Sequence, residues 1–205
     1  MQINIDKKTG VLGGIILVLV AVIITMSVSS NNNHGFLGMG HSSMMDSDEL
    51  KSQSNLTGAD IMFLQMMIPH HQQAVDISNL ALRKSKDAEL LALATAIRDG
   101  QADEIVMMKQ WLKNAGSGLE MGHTMDGQMG GMLDDAELAA LKSATASEFD
   151  RLWLIGMTGH HDGALHMTQM IKDASNPTIK KFGQEIITLQ TAQIEQMKTM
   201  LQRIK

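Results

Sequence analysis

The stretch FLQMMIPHHQQAVDI, residues 63–77, has a counterpart in FDRLWLIGMTGHHDGALHMTQM, residues 149–170; each places a methionine three residues before two adjacent histidines. In the first, Phe63, Met66, His70, Ala74, Ile77 and Ala81 follow the 3–4 spacing of one helix face. Trp153, Gly156, His160, Ala164, Met167 and Ile171 do the same in the second, so the spacing predicts histidines on the buried stripe of two helices. Each copy then runs, after a short break, into another long apolar stripe. Leu90, Ala94, Ile97, Gln101, Ile105, Met108 and Leu112 are matched by Ile179, Gly183, Ile186, Gln190, Ile194, Met197 and Leu201. The expected fold is all-α: a four-helix bundle from two duplicated helical hairpins, residues 57–114 and 135–205.

Punctuation residues supply the boundaries. Thr57-x-x-Asp60 and Ser147-x-x-Asp150 each read as a capping box opening a helix. Pro177 suits a first helical position after Asn176, and Gly116 suits a helix end after Trp111-Leu112-Lys113. Residues 115–134 form a linker; its core, GSGLEMGHTMDGQMGGM, holds too much glycine for a stable helix. DDAELAALKSAT then predicts a short amphipathic helix leading the second hairpin.

The N-terminal region stands apart from the bundle. Residues 11–28 carry no charge and would span roughly 27 Å as a helix, nearly a bilayer core. Lys7 and Lys8 precede this run, which places residues 1–10 in the cytoplasm and the remainder outside. The run exceeds a typical signal core, so an uncleaved membrane anchor is expected; cleavage near Val28-Ser29-Ser30 would instead release a secreted protein. Residues 29–56, which include HGFLGMGHSSMM, read as a Met/His-rich tether.

Composition narrows the chemistry. With 205 residues, 44% apolar content and two prolines, the chain suits one globular helical domain. A net charge of -5, little basic clustering and no tyrosine exclude a nucleic-acid partner. Nineteen methionines and no cysteine suit soft-metal chemistry outside the cytosol, where thiols oxidise and thioethers have no proton to lose.

Positions three and four apart share a helix face, so Met67 can converge with His70 and His71, and Met157 with His160 and His161. Met66 lies on the first stripe, while His166, Met167 and Met170 enlarge the second cluster. Thioether and imidazole select a soft ion: copper(I) first, with silver(I) and copper(II) as further candidates. Adjacent histidines diverge by about 100° on a helix, so one ion need not take both. Pro69 is expected to kink its helix just before the histidines, with Gly159 at the matching place. In the linker, Met121, His123, Met125, Met129 and Met132 gain little from burial and are candidates for weak, exchangeable capture. Met108, Met197 and Met200 read as core packing. Gln101 and Gln190 either orient the histidines or form a satisfied polar pair in the core.

The two His-His runs, each followed by a helix ending in QADEIVMMKQWL or QTAQIEQMKTML, resemble the domain-of-unknown-function 305 family over about residues 55–205. The resemblance implies a ferritin-like helical bundle that binds copper outside the cytoplasm and contributes to copper tolerance. It implies signature positions at Met67, His70, His71, Met157, His160, His161 and Met167. The chain departs from the family pattern at Ile77, where a methionine is usual, and Gly156-Met157-Thr158-Gly159 replaces the commoner lead-in, so the two sites are expected to be inequivalent. The expected function is that of a copper(I) buffer or carrier exchanging ions with other copper-handling proteins. A di-iron oxidase is one alternative, yet the chain's single Glu-x-x-His spacing, Glu120 to His123, falls in the linker. A copper-dependent oxidase, and a structural or interaction bundle with a Met-rich core and no metal, are the others.

Overall fold

A computed structural model describes residues 55–120 and 130–204, which are helical throughout, with no strand among them. The helices are α1 (Gly58–Lys84), α2 (Ala88–Asn114), α3 (Asp135–Ser143), α4 (Ala146–Met167) and α5 (Pro177–Leu201), with a 3-10 turn, Thr168–Ile171, closing α4. The apolar run 11–28 and the tether up to residue 54 lie outside the described residues. Among the described residues no helix is long and apolar enough to cross a membrane.

Local chemistry explains most of the ends. At α1 the expected capping box forms: the Asp60 carboxylate accepts from the Thr57 N–H at 2.8 Å, and Thr57 Oγ1 accepts from the Asp60 N–H at 3.2 Å. Asp87 caps α2 through the Leu90 N–H at 2.8 Å. At its far end Gly116 adopts φ +68°, letting Gly116 and Ser117 donate back to the Lys113 and Leu112 carbonyls. Asn176 accepts from Thr178 and Ile179, with Pro177 at the first helical position of α5. The short α3 has its own box, Asp134 with Glu137.

The box expected at Ser147 and Asp150 does not form. Helix α4 starts at Ala146, two residues before the start that a Ser147 cap would give, and its N-cap Thr145 makes no side-chain cap hydrogen bond. Ala146 sits at φ +52°, a left-handed conformation that costs an L-residue roughly 1–2 kcal/mol. With Ala146 taking the turn into the helix, Ser147 is already helical and its hydroxyl cannot serve as the cap.

Two apolar clusters occupy the two ends of the bundle. One gathers Phe63, Leu64 and Met67 of α1, Ile105, Met108 and Leu112 of α2, Ala164 and Met167 of α4, and Ile179, Phe182 and Ile186 of α5. Phe182 takes edge contacts there from Phe63 and Trp111, with ring centroids 6.4 and 5.1 Å away. The other gathers Ala74 and Ile77, Leu90 and Ile97, Phe149, Trp153 and Met157, and Ile194 and Met197. Chain direction follows: α1 and α5 run from the first cluster to the second, α2 and α4 the reverse. Because α2 ends at the first cluster and Leu133 and Leu141 pack in the second, the crossover between the hairpins begins at one end of the bundle and finishes at the other.

Glycine fixes that crossover against α4. A Cβ on Gly163 would lie 1.8 Å from the Gly130 carbonyl oxygen, and one on Gly131, at φ +82°, 2.3 Å from that of Gly159. The crossover backbone therefore lies directly on the α4 backbone. Gln73 of α1 holds its end in a two-way clasp, accepting from the Leu133 N–H at 2.8 Å and donating to the Leu133 carbonyl at 2.9 Å. The opposite end is held by Gln65, which donates to the Gly118 carbonyl at 2.8 Å. Met121, His123, Met125 and Met129 lie outside the described residues.

Two substitutions separate backbone contact from helix propensity. Gly163→Ala should lower unfolding free energy by about 1–3 kcal/mol through overpacking against backbone that cannot yield. Gly100→Ala, in α2 with nothing within 4 Å of the new Cβ, should raise it by about 0.5–1 kcal/mol. Urea denaturation of both variants checks the pair; equal effects would mean that the crossover does not rest on Gly163.

Candidate metal centre

Between the two apolar clusters lie His70 and His71 of α1 and His160 and His161 of α4, all with 0% exposure. The four-residue helical stripe places them there, and the antiparallel packing of α1 against α4 brings the pairs together. Two buried bonds set this register. The His160 Nε2–H donates to the His70 carbonyl at 2.9 Å, and the Trp153 Nε1–H donates to the Ile77 carbonyl at 3.1 Å. The His70 and His160 rings then lie 3.8 Å apart between centroids, tilted by 36°.

Each of the four Nε2 atoms faces an oxygen. His70 meets the Gly130 carbonyl at 3.2 Å, His71 the Glu104 carboxylate at 2.7 Å, His160 the His70 carbonyl, and His161 the Gln193 amide oxygen at 2.7 Å. A carbonyl oxygen only accepts, so Nε2 carries the proton and Nδ1 of the neutral ring keeps its lone pair. All four Nδ1 atoms are buried and lack a hydrogen-bond partner. Leaving a buried acceptor unsatisfied costs about 1–3 kcal/mol each. The centre thus holds four imidazole lone pairs aimed at no proton.

Electrostatics keep three of these rings, His70, His160 and His161, neutral. Burial, then the neighbouring His71, lowers His70 to a pKa of about 3 against the pull of its Gly130 bond. Burial lowers His161 to about 4, partly opposed by Gln193, and pushes His160 well below the ordinary histidine range, with His70 adding to the effect.

The methionines divide between the two ends. Met66, Met67 and Met167 belong to the cluster at one end and Met157 to the cluster at the other, all buried. Met67 and Met167 come from different copies yet share an end, and Met157 shares its end with Ile77. Met108 and Met197 pack in the core. His166 and Met170 are not brought to the quartet. His166 points outward, with 78% of its side chain exposed, and its Nδ1–H donates to the Asp162 carbonyl at 2.9 Å. The change to 3-10 geometry at Thr168 breaks the α spacing that would stack Met170 on His166. Helix α1 continues through Pro69, which leaves the Gln65 carbonyl without its usual i+4 donor.

Among the described residues no three His, Asp or Glu side chains stand in the mutual geometry of a metal site. A soft ion in this centre would therefore need sulfur beside nitrogen, and buried thioethers flank the quartet on both sides.

Glu104 and Gln193 are the residues that sequence reasoning missed. Gln101 and Gln190, expected either to orient the histidines or to form a satisfied polar pair in the core, do neither: both amide atoms of Gln101 and the Gln190 oxygen are buried without partners. The bonds come instead from one turn further along α2 and α5. Gln193 is buried, whereas Glu104 is partly exposed, so its position reads as helix surface. The sole signal was their matched place, three residues after Gln101 and Gln190.

The sequence profile described as "Domain of unknown function (DUF305)" matches residues 60–201. No curated protein matches. A DUF305 protein from Streptomyces coelicolor has a crystal structure with a TM-score of 0.67 and 29% identity, covering 71% of this chain and 91% of that one. CopM in its Cu(II)-bound form is similar at 36% identity and a TM-score of 0.59, covering 70% of this chain and 96% of CopM. Its Cu(I)-bound form gives 34% identity, a TM-score of 0.59 and the same coverage.

A pH signature follows from the lowered histidines. In the unfolded chain His161 and His70 take up protons near pH 6.5, while in the folded chain they resist until about 4 and 3, so the unfolded state binds more protons in between. The stability conferred by neutral burial is complete above pH 6.5 and declines as pH falls toward 4. By pH 5 each such histidine should cost on the order of 2 kcal/mol. Denaturant titrations of the metal-free chain at pH 7 and pH 5 measure this; a flat profile would place the quartet in contact with water.

Proposed function

The chain belongs to the DUF305 family, and we propose that it binds copper(I) outside the cytoplasm as a buffer or carrier in copper tolerance. The observation that carries this reading is the set of four buried, unprotonated Nδ1 lone pairs flanked by thioethers. A core built only for packing would lose stability by holding such atoms, whereas a soft cation satisfies them. CopM, similar over most of the described bundle, is known in Cu(I)-, Cu(II)- and Ag-bound forms, which supports the same cargo here.

In this reading His70, His71, His160 and His161 provide nitrogen, and Met67, Met157 and Met167 provide sulfur, with Met66 adjacent. The bundle is a duplicated, ferritin-like pair of hairpins, held at the membrane by residues 11–28. Met121, His123 and Met125 collect ions weakly and pass them along the crossover, whose Gly130 carbonyl accepts from His70. His166 and Met170, both at the surface, are further low-affinity donors. Because His70 and His161 stay neutral well below pH 6, these nitrogen donors persist in mildly acidic surroundings. A di-iron site would need several inward carboxylates, and among the described residues Glu104 is the one that touches the quartet.

Replacing Met157, His160 and His161 together, with His changed to Asn and Met to Leu, should lower copper(I) stoichiometry of the full-length chain. Titration against a chromophoric copper(I) chelator, with circular dichroism to confirm folding, provides the measurement; an unchanged end point removes these ligands from the account. Changing Met121, His123 and Met125 to Ser should remove weak sites and spare the tight ones. Loss of all binding would contradict that division.

A further inference from the structure

The two halves of the quartet are alike in geometry and unlike in charge. His71 and His161 occupy matched places, both are fully buried, and each Nε2–H donates over 2.7 Å to one turn of the neighbouring helix. The acceptor is a carboxylate in one half, Glu104, with 16% of its side chain exposed, and an uncharged amide in the other, Gln193. Among the described residues no other carboxylate touches the four histidines.

That difference matters for a cation. Imidazoles and thioethers offer lone pairs but no negative charge, and burying an uncompensated charge is costly. A carboxylate behind a ligating imidazole also raises the basicity of the ring's other nitrogen. Glu104 lies beside Ile105 and Met108, toward the end that holds Met67 and Met167, while Gln193 lies beside Ile194 and Met197, toward the end where Met157 meets Ile77. The charged acceptor and the fuller methionine pair therefore coincide.

We infer that Glu104 is the counter-charge of the centre, so that the His71 half takes a monovalent soft cation as a neutral unit and the His161 half binds more weakly. This rests on the copper reading above, and the side chain's role is to set affinity and order of filling through His71. Glu104 acts on the ion from behind the ring and is a positioning and charge-balancing residue.

Silver(I), redox-inert and soft, is the probe, titrated into the full-length chain against a competing chelator. Glu104→Gln keeps an amide oxygen to accept from His71, as Gln193 does from His161, and removes only the charge. It should weaken the tighter step about 10–100-fold, while Gln193→Glu should tighten the weaker step by a similar factor. The double exchange should move the tight step to the other half, where Met157→Leu then weakens it. Far-UV circular dichroism reports whether each variant folds, and if Glu104→Gln does not, the Gln193→Glu arm decides. An unaltered tight step in folded Glu104→Gln, or an unaltered weak step in Gln193→Glu, overturns the inference. Wild-type protein that takes up neither silver(I) nor copper(I) is a separate outcome, and it removes the copper reading itself.

Discussion

Four imidazole N–H groups at the middle of the bundle reach every long helix and the crossover. His70 donates to the crossover at Gly130, His71 to α2, His160 to the backbone of α1, and His161 to α5. Each bond is a donor from one element to an acceptor on another, so the elements share one register at this level. The same bonds commit every Nε2 to a proton and leave every Nδ1 without one. Structural tie and chemical readiness are thus two consequences of one hydrogen-bond pattern.

A polar layer of this kind survives only because apolar material seals it on both sides. Phe63, Trp111 and Phe182 close one end, and Phe149 and Trp153 close the other. Burial holds His70, His160 and His161 neutral, which spares the core a set of mutually repelling cations and preserves their lone pairs. The unsatisfied nitrogens are a stability loss of the sort that tends to mark function, since packing alone gives no reason to keep them.

The antiparallel arrangement of α1 and α4 changes what the repeated sequence means. Along the chain, Met67 and Met157 are counterparts, separated by the same ninety residues as His70 and His160. In space, each end draws on both copies. Met67 meets the end of Met167, and Met157 meets the end of Ile77, so the absence of a methionine at position 77 depletes one end of the bundle rather than one copy. Glu104 and Gln193 add a difference in charge along the same axis.

The periodic stripes, the caps at Thr57, Asn176 and Gly116, and the burial of the histidines were all legible in the residues, because helix geometry ties side-chain direction to sequence spacing within a few positions. The start of α4 was not, since the left-handed turn falls at Ala146, whose side chain carries no mark of that conformation. Nor were the partners of the histidines. Glu104, Gln193 and the Gly130 carbonyl lie 33, 32 and 60 residues from the rings they bond, and no local rule connects such positions. Sequence alone determined that imidazole and thioether would lie on buried helix faces, a matter of short-range periodicity. Which nitrogen keeps its lone pair, which methionines share an end and where the single negative charge falls were decided by the packing of distant helices, because each depends on the atom that a fold places opposite.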